Sequence, residues 1–193
     1  MRMPTYQPAF GVEPPGGLSD WTVRSNDEFV MFKILSPRHE TRTTRADPTL
    51  FWQLDRITET GGFYLTILDQ DGEPIALDVS IPRPQQPGLQ HIELSTLGIA
   101  LPTGATLRWS IAHRLEPEAP PTRFDVAWLR HAPLAPEAAQ QLATTAQPQH
   151  SALFAAAGCY NEALEAALEA RDTRPDDSQP RRAVEILLQA GAE

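Results

Sequence analysis

Residues 63–81 constrain the fold more tightly than any other stretch. Two apolar runs, 63–68 and 74–81, are joined by Asp69-Gln70-Asp71-Gly72, and the Asp-Gly pair supplies the positive φ that a tight hairpin needs. In the second run Ile75, Leu77, Val79 and Ile81 alternate with Ala76, Asp78 and Ser80, a period of two that buries one strand face and wets the other. A lone hairpin is at best marginal in water, so the chain must supply more strands to cover that apolar face.

The sequence offers them. Apolar runs at 30–35, 49–54, 89–94, 106–113 and 123–130 are separated by clusters of Pro, Gly, Asp and Asn, the texture of short antiparallel strands. Together with the hairpin they make about seven strands in roughly a hundred residues. The expected fold is mainly β with an α tail: an antiparallel immunoglobulin-like β-sandwich over 29–130, followed by a C-terminal helical hairpin within a 131–193 tail. Three sets stay in step along their strands and form the expected core: Leu50, Trp52 and Leu54; Leu107, Trp109 and Ile111; Phe124, Val126 and Trp128. The Cys-Trp-Cys framework of antibody domains is missing, since Cys159 is the only cysteine.

Residues 1–28, with Pro4, Pro8, Pro14, Pro15, Gly16 and Gly17, carry no sustained period and read as an extended lead-in. Beyond 130 the period changes to that of helices. One is expected over 135–144, with Pro136 at its first turn, and a second over 148–157, broken by Gly158. A third spans 160–171, with Tyr160, Ala163, Leu164, Ala167 and Leu168 at helical spacing. A fourth spans 180–190, with Val184, Leu187 and Leu188 on one side and Gly191 as its stop.

Charge narrows the partners. Sixteen basic against 25 acidic residues give a net charge of −9, which repels phosphate backbones and anionic lipid surfaces. Nucleic acid is therefore an unexpected partner. No segment approaches the ~20 apolar residues of a membrane span, so membrane insertion is not expected, and the chain as written reads as soluble and untargeted.

Chemistry-bearing motifs are scarce. There is no Gly-x-Ser-x-Gly elbow and no glycine-rich loop leading into a helix, so neither nucleophilic hydrolysis nor nucleotide binding has a signature here. Cys159, between Gly158 and Tyr160, reads as a small buried residue. His39, His91, His113, His131 and His150 show no metal-ligand spacing; His91 and His113 fall on strands and are expected to face solvent. Asp69, Asp71 and Glu73 are too closely spaced for a calcium loop and suit a solvated turn. No catalytic residue, metal or cofactor is expected. Pro82, Pro84 and Pro87 form a stiff connector suited to protecting a sheet edge.

Two resemblances enter on specific residues. Phe154, Gly158, Tyr160, Ala163, Leu164, Ala170 and Pro175 follow the spacing of one tetratricopeptide hairpin. Such repeats need neighbours to bury their faces, so this hairpin must dock on the sandwich, on Val184-Leu187-Leu188, or on another chain. More broadly, the order Tyr6-Gln7-Pro8, Leu35-Ser36-Pro37, Pro48-Thr49-Leu50-Phe51-Trp52, Pro87-Gly88-Leu89-Gln90, Leu107-Arg108-Trp109, and Leu153-Phe154 followed by Tyr160-Asn161-Glu162-Ala163-Leu164 resembles a bacterial family rich in cyanobacterial members, domain-of-unknown-function family 928. That resemblance implies an extracytoplasmic protein, because members generally carry an export signal, and it implies no catalytic residues.

The expected role is that of a non-enzymatic interaction or structural module. Sandwich edges and an acidic helical tail, Glu162, Glu165, Glu169, Asp172, Asp176 and Asp177, would meet a protein partner, the tail steering basic surfaces. The alternative is a carbohydrate-binding sandwich, which needs at least one of Trp21, Trp52, Trp109 and Trp128 or a tyrosine exposed as a stacking platform. A hydrolase with an unfamiliar site has no constellation behind it.

Overall fold

The computed structural model describes residues 30–37 and 40–192; the lead-in, Trp21 and the Tyr6-Gln7-Pro8 motif lie outside them. Among the described residues eight strands and four α-helices follow in order: β1 (Phe32–Ile34), β2 (Thr41–Thr43), β3 (Thr49–Leu54), β4 (Gly62–Leu68), β5 (Pro74–Ile81), β6 (Gly88–Glu93), β7 (Thr106–Arg114), β8 (Arg123–His131), α1 (Pro136–Thr144), α2 (His150–Ala156), α3 (Tyr160–Thr173) and α4 (Ser178–Ala192).

The strands form two sheets, one ordered β1-β3-β6 and the other β2-β8-β7-β4-β5. Every pairing is antiparallel except β2 with β8, which is parallel. The expectation of a purely antiparallel architecture is corrected there. β2 reads Thr-Arg-Thr, three residues with no apolar alternation, and so gives no strand signal in sequence.

The hairpin forms where expected. Asp69 N–H donates to Glu73 O at 2.9 Å, and Gly72 takes φ 86°, the left-handed conformation that suits glycine. Within β5, however, the alternation breaks. Asp78, at φ 50°, forms a bulge, and the pairing with β4 slips between Leu65 and Ile67. As a result Ala76 is buried while Leu77 is 63 % exposed, the reverse of the expected phase at that end of the strand.

One core joins the two sheets. Leu50, Trp52 and Leu54 from β3 meet Phe63, Leu65 and Ile67 from β4 and Leu107, Trp109 and Ile111 from β7. Phe63 lies 4.9 Å from Trp52 and 5.6 Å from Phe32, ring centre to ring centre. Each such fully buried side chain stabilises the fold by ~1.5–3 kcal/mol.

Strand β8 departs from the third expected set. Ala127, Leu129 and His131 turn inward, while Phe124 and Val126 are exposed and Trp128 is half-buried on the opposite face. Register supplies the reason. Trp109 stands opposite Ala127 and Ile111 opposite Asp125, so a small residue accommodates the indole. Asp125 turns to the junction between sheets, where its Oδ2 accepts from Ile34 N–H at 2.8 Å.

The helices form a further layer on the three-stranded sheet. Phe51, which points away from the first core, joins Leu35 and Leu89 in a second cluster with Ala155 and Phe154 of α2, Tyr160, Ala163, Leu164 and Ala167 of α3, and Val184 and Leu187 of α4. The tail thus docks both on the sheet and on its own last helix. Gly191 lies within α4 and does not end it, contrary to expectation. A Cβ there would fall 2.7 Å from Tyr160 Cζ, so glycine is required for close approach. The Tyr160 hydroxyl donates to Leu187 O at 3.0 Å across that contact.

Candidate interaction surface

The six acidic residues expected at the surface divide sharply. Glu162 is only 4 % exposed. It stands at the third position of α3, where the helix dipole favours a carboxylate, and its Oε1 accepts from Thr43 Oγ1 at 2.7 Å, Thr44 N–H at 2.6 Å and Thr44 Oγ1 at 3.2 Å. It fastens α3 to the end of β2 and is no part of an exposed acidic face, which corrects its expected role. Glu165 pairs with Arg45 at 3.1 Å and accepts from Thr49 Oγ1 at 3.0 Å. Glu169 accepts from Gln147 Nε2 at 2.8 Å. Asp172 pairs with Arg171, and Asp177 with Arg174 while also accepting from Gln179 N–H. Asp176 is exposed. Much of the tail's negative charge is therefore met within the chain, leaving less to steer a basic partner.

Cys159 is fully buried. Its thiol is pushed up to about 12 by loss of solvent and by the Glu162 carboxylate, against a smaller opposing effect of Arg42, so it stays a protonated packing residue at neutral pH. His113 is 2 % exposed, contrary to the solvent-facing expectation, and touches the Phe63 ring at 5.1 Å. Its Nε2 lies 3.2 Å from Thr60 O and its Nδ1 2.7 Å from Thr122 Oγ1. Burial holds its pKa below 6.5, with the Thr60 carbonyl opposing that shift and Arg83 adding to it. His91 is exposed on β6 in the other sheet, so the two histidines do not meet. Among the described residues no three His, Cys, Asp or Glu side chains are placed to hold a metal ion, and no helix is long and apolar enough to cross a membrane.

What the sequence analysis assigned to the core, β8 instead presents outward. Phe124 is 42 % and Val126 38 % exposed, and with Trp128 they recur every second residue along one strand, a row about 13 Å long at ~3.3 Å per residue. The register places Arg108 opposite Trp128, Ser110 opposite Val126 and Ala112 opposite Phe124. Tyr64 of β4 continues the last row beyond Ala112. Arg114 lies over the Tyr64 ring at 5.4 Å and pairs with Asp78 at 2.8 Å. Arg42 and Arg130 stand directly opposite each other at the β2 end, and each has partners within the chain. The described helices pack on the other sheet and, through α3, against β2 at the edge of this one, and Phe124 and Val126 remain exposed.

A two-sheet β body with a docked helical layer, its outer sheet face lined by aromatic and arginine side chains, defines a β-rich domain with a candidate binding face. The family model described as Domain of Unknown Function (DUF928) matches residues 22–192, and the chain belongs to that family. No curated protein matches the chain.

Proposed function

We propose that this protein is a non-enzymatic interaction module, an immunoglobulin-like sandwich whose helical layer stiffens one sheet while the other sheet's outer face binds a protein partner. The observation that carries this reading is the exposed row Phe124, Val126 and Trp128. Partly exposed aromatics beside arginines have the composition of protein-binding hot spots. Among the described residues β5 is the far edge of the same sheet, separated from β8 by β7 and β4, and an edge strand is where a further strand can be added. The acidic helical tail contributes less, because Glu162 is buried and Glu165, Asp172 and Asp177 are paired with arginines.

The test is a photo-crosslinking residue placed at position 126, with the same residue at exposed position 77 as control, in cells that make the protein. Recurrent cross-links to one protein from position 126, lost in Trp128→Ala, are expected. Adducts equally frequent at both positions, or none, overturn the reading.

A second reading rests on the same half-buried Trp128 and on Tyr64: a carbohydrate ring stacked on this face. Glycan-bearing adducts at position 126 would favour it.

A further inference from the structure

We infer that residues 22–29 of this chain close one end of the two-sheet body, packing over Met31, Ile57 and Leu115. The inference goes beyond the interaction role proposed for the β8 row and does not depend on it. It starts from where exposed apolar side chains lie. Apart from Leu77 on β5 and Phe124 and Val126 on β8, the large apolar residues left exposed among the described ones are Met31, Ile57 and Leu115. Hydrogen bonds and register gather all three at a single end. Met31 O accepts from Asp55 N–H at 2.9 Å, two residues before Ile57. The loop that carries Ile57 runs on to Thr60, whose O lies 3.2 Å from His113 Nε2, and to Gly62, which stands opposite Arg114, the neighbour of Leu115. Arg123, opposite His113, donates from Nε to Phe32 O at 3.3 Å and so ties the start of β1 to the same end.

An apolar group of this kind suits a covering segment, and the chain itself supplies the nearest one. It enters the described structure at this end, at Val30, which is buried in the first core. The residues just before Val30 therefore start from beside Met31. The antiparallel register of β1 with β3 pairs Phe32 with Leu54, Lys33 with Gln53 and Ile34 with Trp52, and the bond between Met31 and Asp55 keeps it. Two residues further on, the same register sets Phe29 against Ile57, an apolar cross-strand pair of the kind that stabilises a sheet. Val23 supplies a second apolar side chain nearer the start of the segment. Eight extended residues span up to about 26 Å, well beyond the ~10 Å between packed sheets, so the segment reaches from β1 on one sheet to Leu115 beyond β7 on the other. The family match supplies an independent argument. It begins at residue 22, ahead of the first described residue, Val30, which makes this stretch part of the family's domain.

The experiment uses the purified full chain as an equal mixture of isotopically heavy and light protein. A photo-crosslinking residue stands at position 57, at position 115, or at exposed position 77 as control, and the products are mapped by mass spectrometry. We expect cross-links from 57 and from 115 to residues 22–29, each within one isotopic chain and several-fold more frequent than from 77. Met31 gives a second readout, because a thioether oxidises according to its exposure. Its sulfoxide should form several-fold faster in Phe29→Ser than in the parent chain under dilute hydrogen peroxide, with a cooperative urea melt retained. If Phe29→Ser fails to fold, Val23→Ser takes its place.

No cross-links from 57 and 115 to residues 22–29, links from only one of the two positions, or links no more frequent than from 77 overturn the inference. Links confined to residues 1–21 overturn it in favour of the earlier lead-in, and links joining heavy to light chains in favour of a second copy. An unchanged Met31 oxidation rate in the folded variant also overturns it. Cross-links from position 126 to a partner in cells are read separately, so the interaction role and this closure can fail independently.

Discussion

Removing the Glu162 carboxylate should loosen the helical layer from the sheets, and the size of the effect follows from its contacts. Three donors converge on one oxygen: the Thr43 hydroxyl, the Thr44 amide and the Thr44 hydroxyl. A hydrogen bond to a charged group contributes ~1.5–3 kcal/mol net, and a buried donor left unsatisfied costs ~1–3 kcal/mol. The gains do not add fully. Glu162 Oε2 is buried without a hydrogen-bond partner, so deleting the side chain also removes the cost of keeping that oxygen from water. Glu162→Ala should therefore destabilise by about 3 kcal/mol, and Glu162→Gln, which keeps an acceptor in place, by about 1–2 kcal/mol. With a urea slope of about 2 kcal/mol/M the alanine midpoint falls by roughly 1.5 M. Far-UV circular dichroism would follow helix loss and tryptophan emission the sheets; a helical transition that precedes the sheet transition in the variant identifies the layer as what has loosened. A cycle with Thr43→Val should give a coupling of ~1–2 kcal/mol. An alanine variant within about 0.5 kcal/mol of the parent, or a coupling near zero, would refute the assignment.

Three further outcomes follow from the same structure. Leu129→Ala should cost ~2–5 kcal/mol by chemical denaturation and Phe124→Ser less than about 1 kcal/mol, because one faces the core and the other water; similar costs would show that the faces of β8 are misassigned. Gly191→Ala should destabilise by ~2 kcal/mol or more through collision with the Tyr160 ring, while the same change at exposed Gly72 should weaken the hairpin only through its positive φ, a contrast read from paired urea melts. His113, whose pKa is lowered in the fold, binds a proton less readily than in the unfolded chain. Its contribution is fully present above pH 6.5 and lost as pH falls below it, with a slope of at most about 1.4 kcal/mol per pH unit, and His113→Asn should flatten the fall in urea midpoint between pH 7.5 and 5.

The parts of this fold that could be read in sequence are those where one local signal had no rival. Asp71-Gly72 had a single turn chemistry open to it, and Leu50, Trp52 and Leu54 alternate with polar Thr49 and Gln53 with only Phe51 to dispute the phase. The helices of the tail fell within a few residues of their expected bounds because their apolar stripes were continuous. β8 failed for the opposite reason. Both faces of Phe-Asp-Val-Ala-Trp-Leu carry apolar residues, so volume favoured Phe124, Val126 and Trp128, while the register against Trp109 and the need of Ile34 N–H for Asp125 favoured the other phase. No single-strand pattern holds that information. Glu162 was misplaced for a related reason: its neighbours Glu165 and Glu169 suggested a wet acidic face, and the threonines that bury it lie 118 and 119 residues away.

The two misread features are physically connected. The helices pack on the three-stranded sheet through Phe51 and Leu89 and are fastened by a buried carboxylate to β2 at the edge of the other sheet, which leaves the row on β8 outside that contact. Were the exposed row on β8 a mere consequence of packing, polar residues would serve at positions 124, 126 and 128 at no cost to the core, since Ala127 and Leu129 already fill the inward positions. Three apolar side chains stand in partial contact with water on a strand that does not need them for its own burial, and a contiguous apolar row of this kind suits a partner-binding face. Arginines rather than lysines border them, and a guanidinium can stack on an aromatic ring as well as pair with a carboxylate, as Arg114 does here with Tyr64 and Asp78. The exposed row on β8 is therefore not required by the packing of the core, and it is the feature on which the proposed interaction role stands or falls.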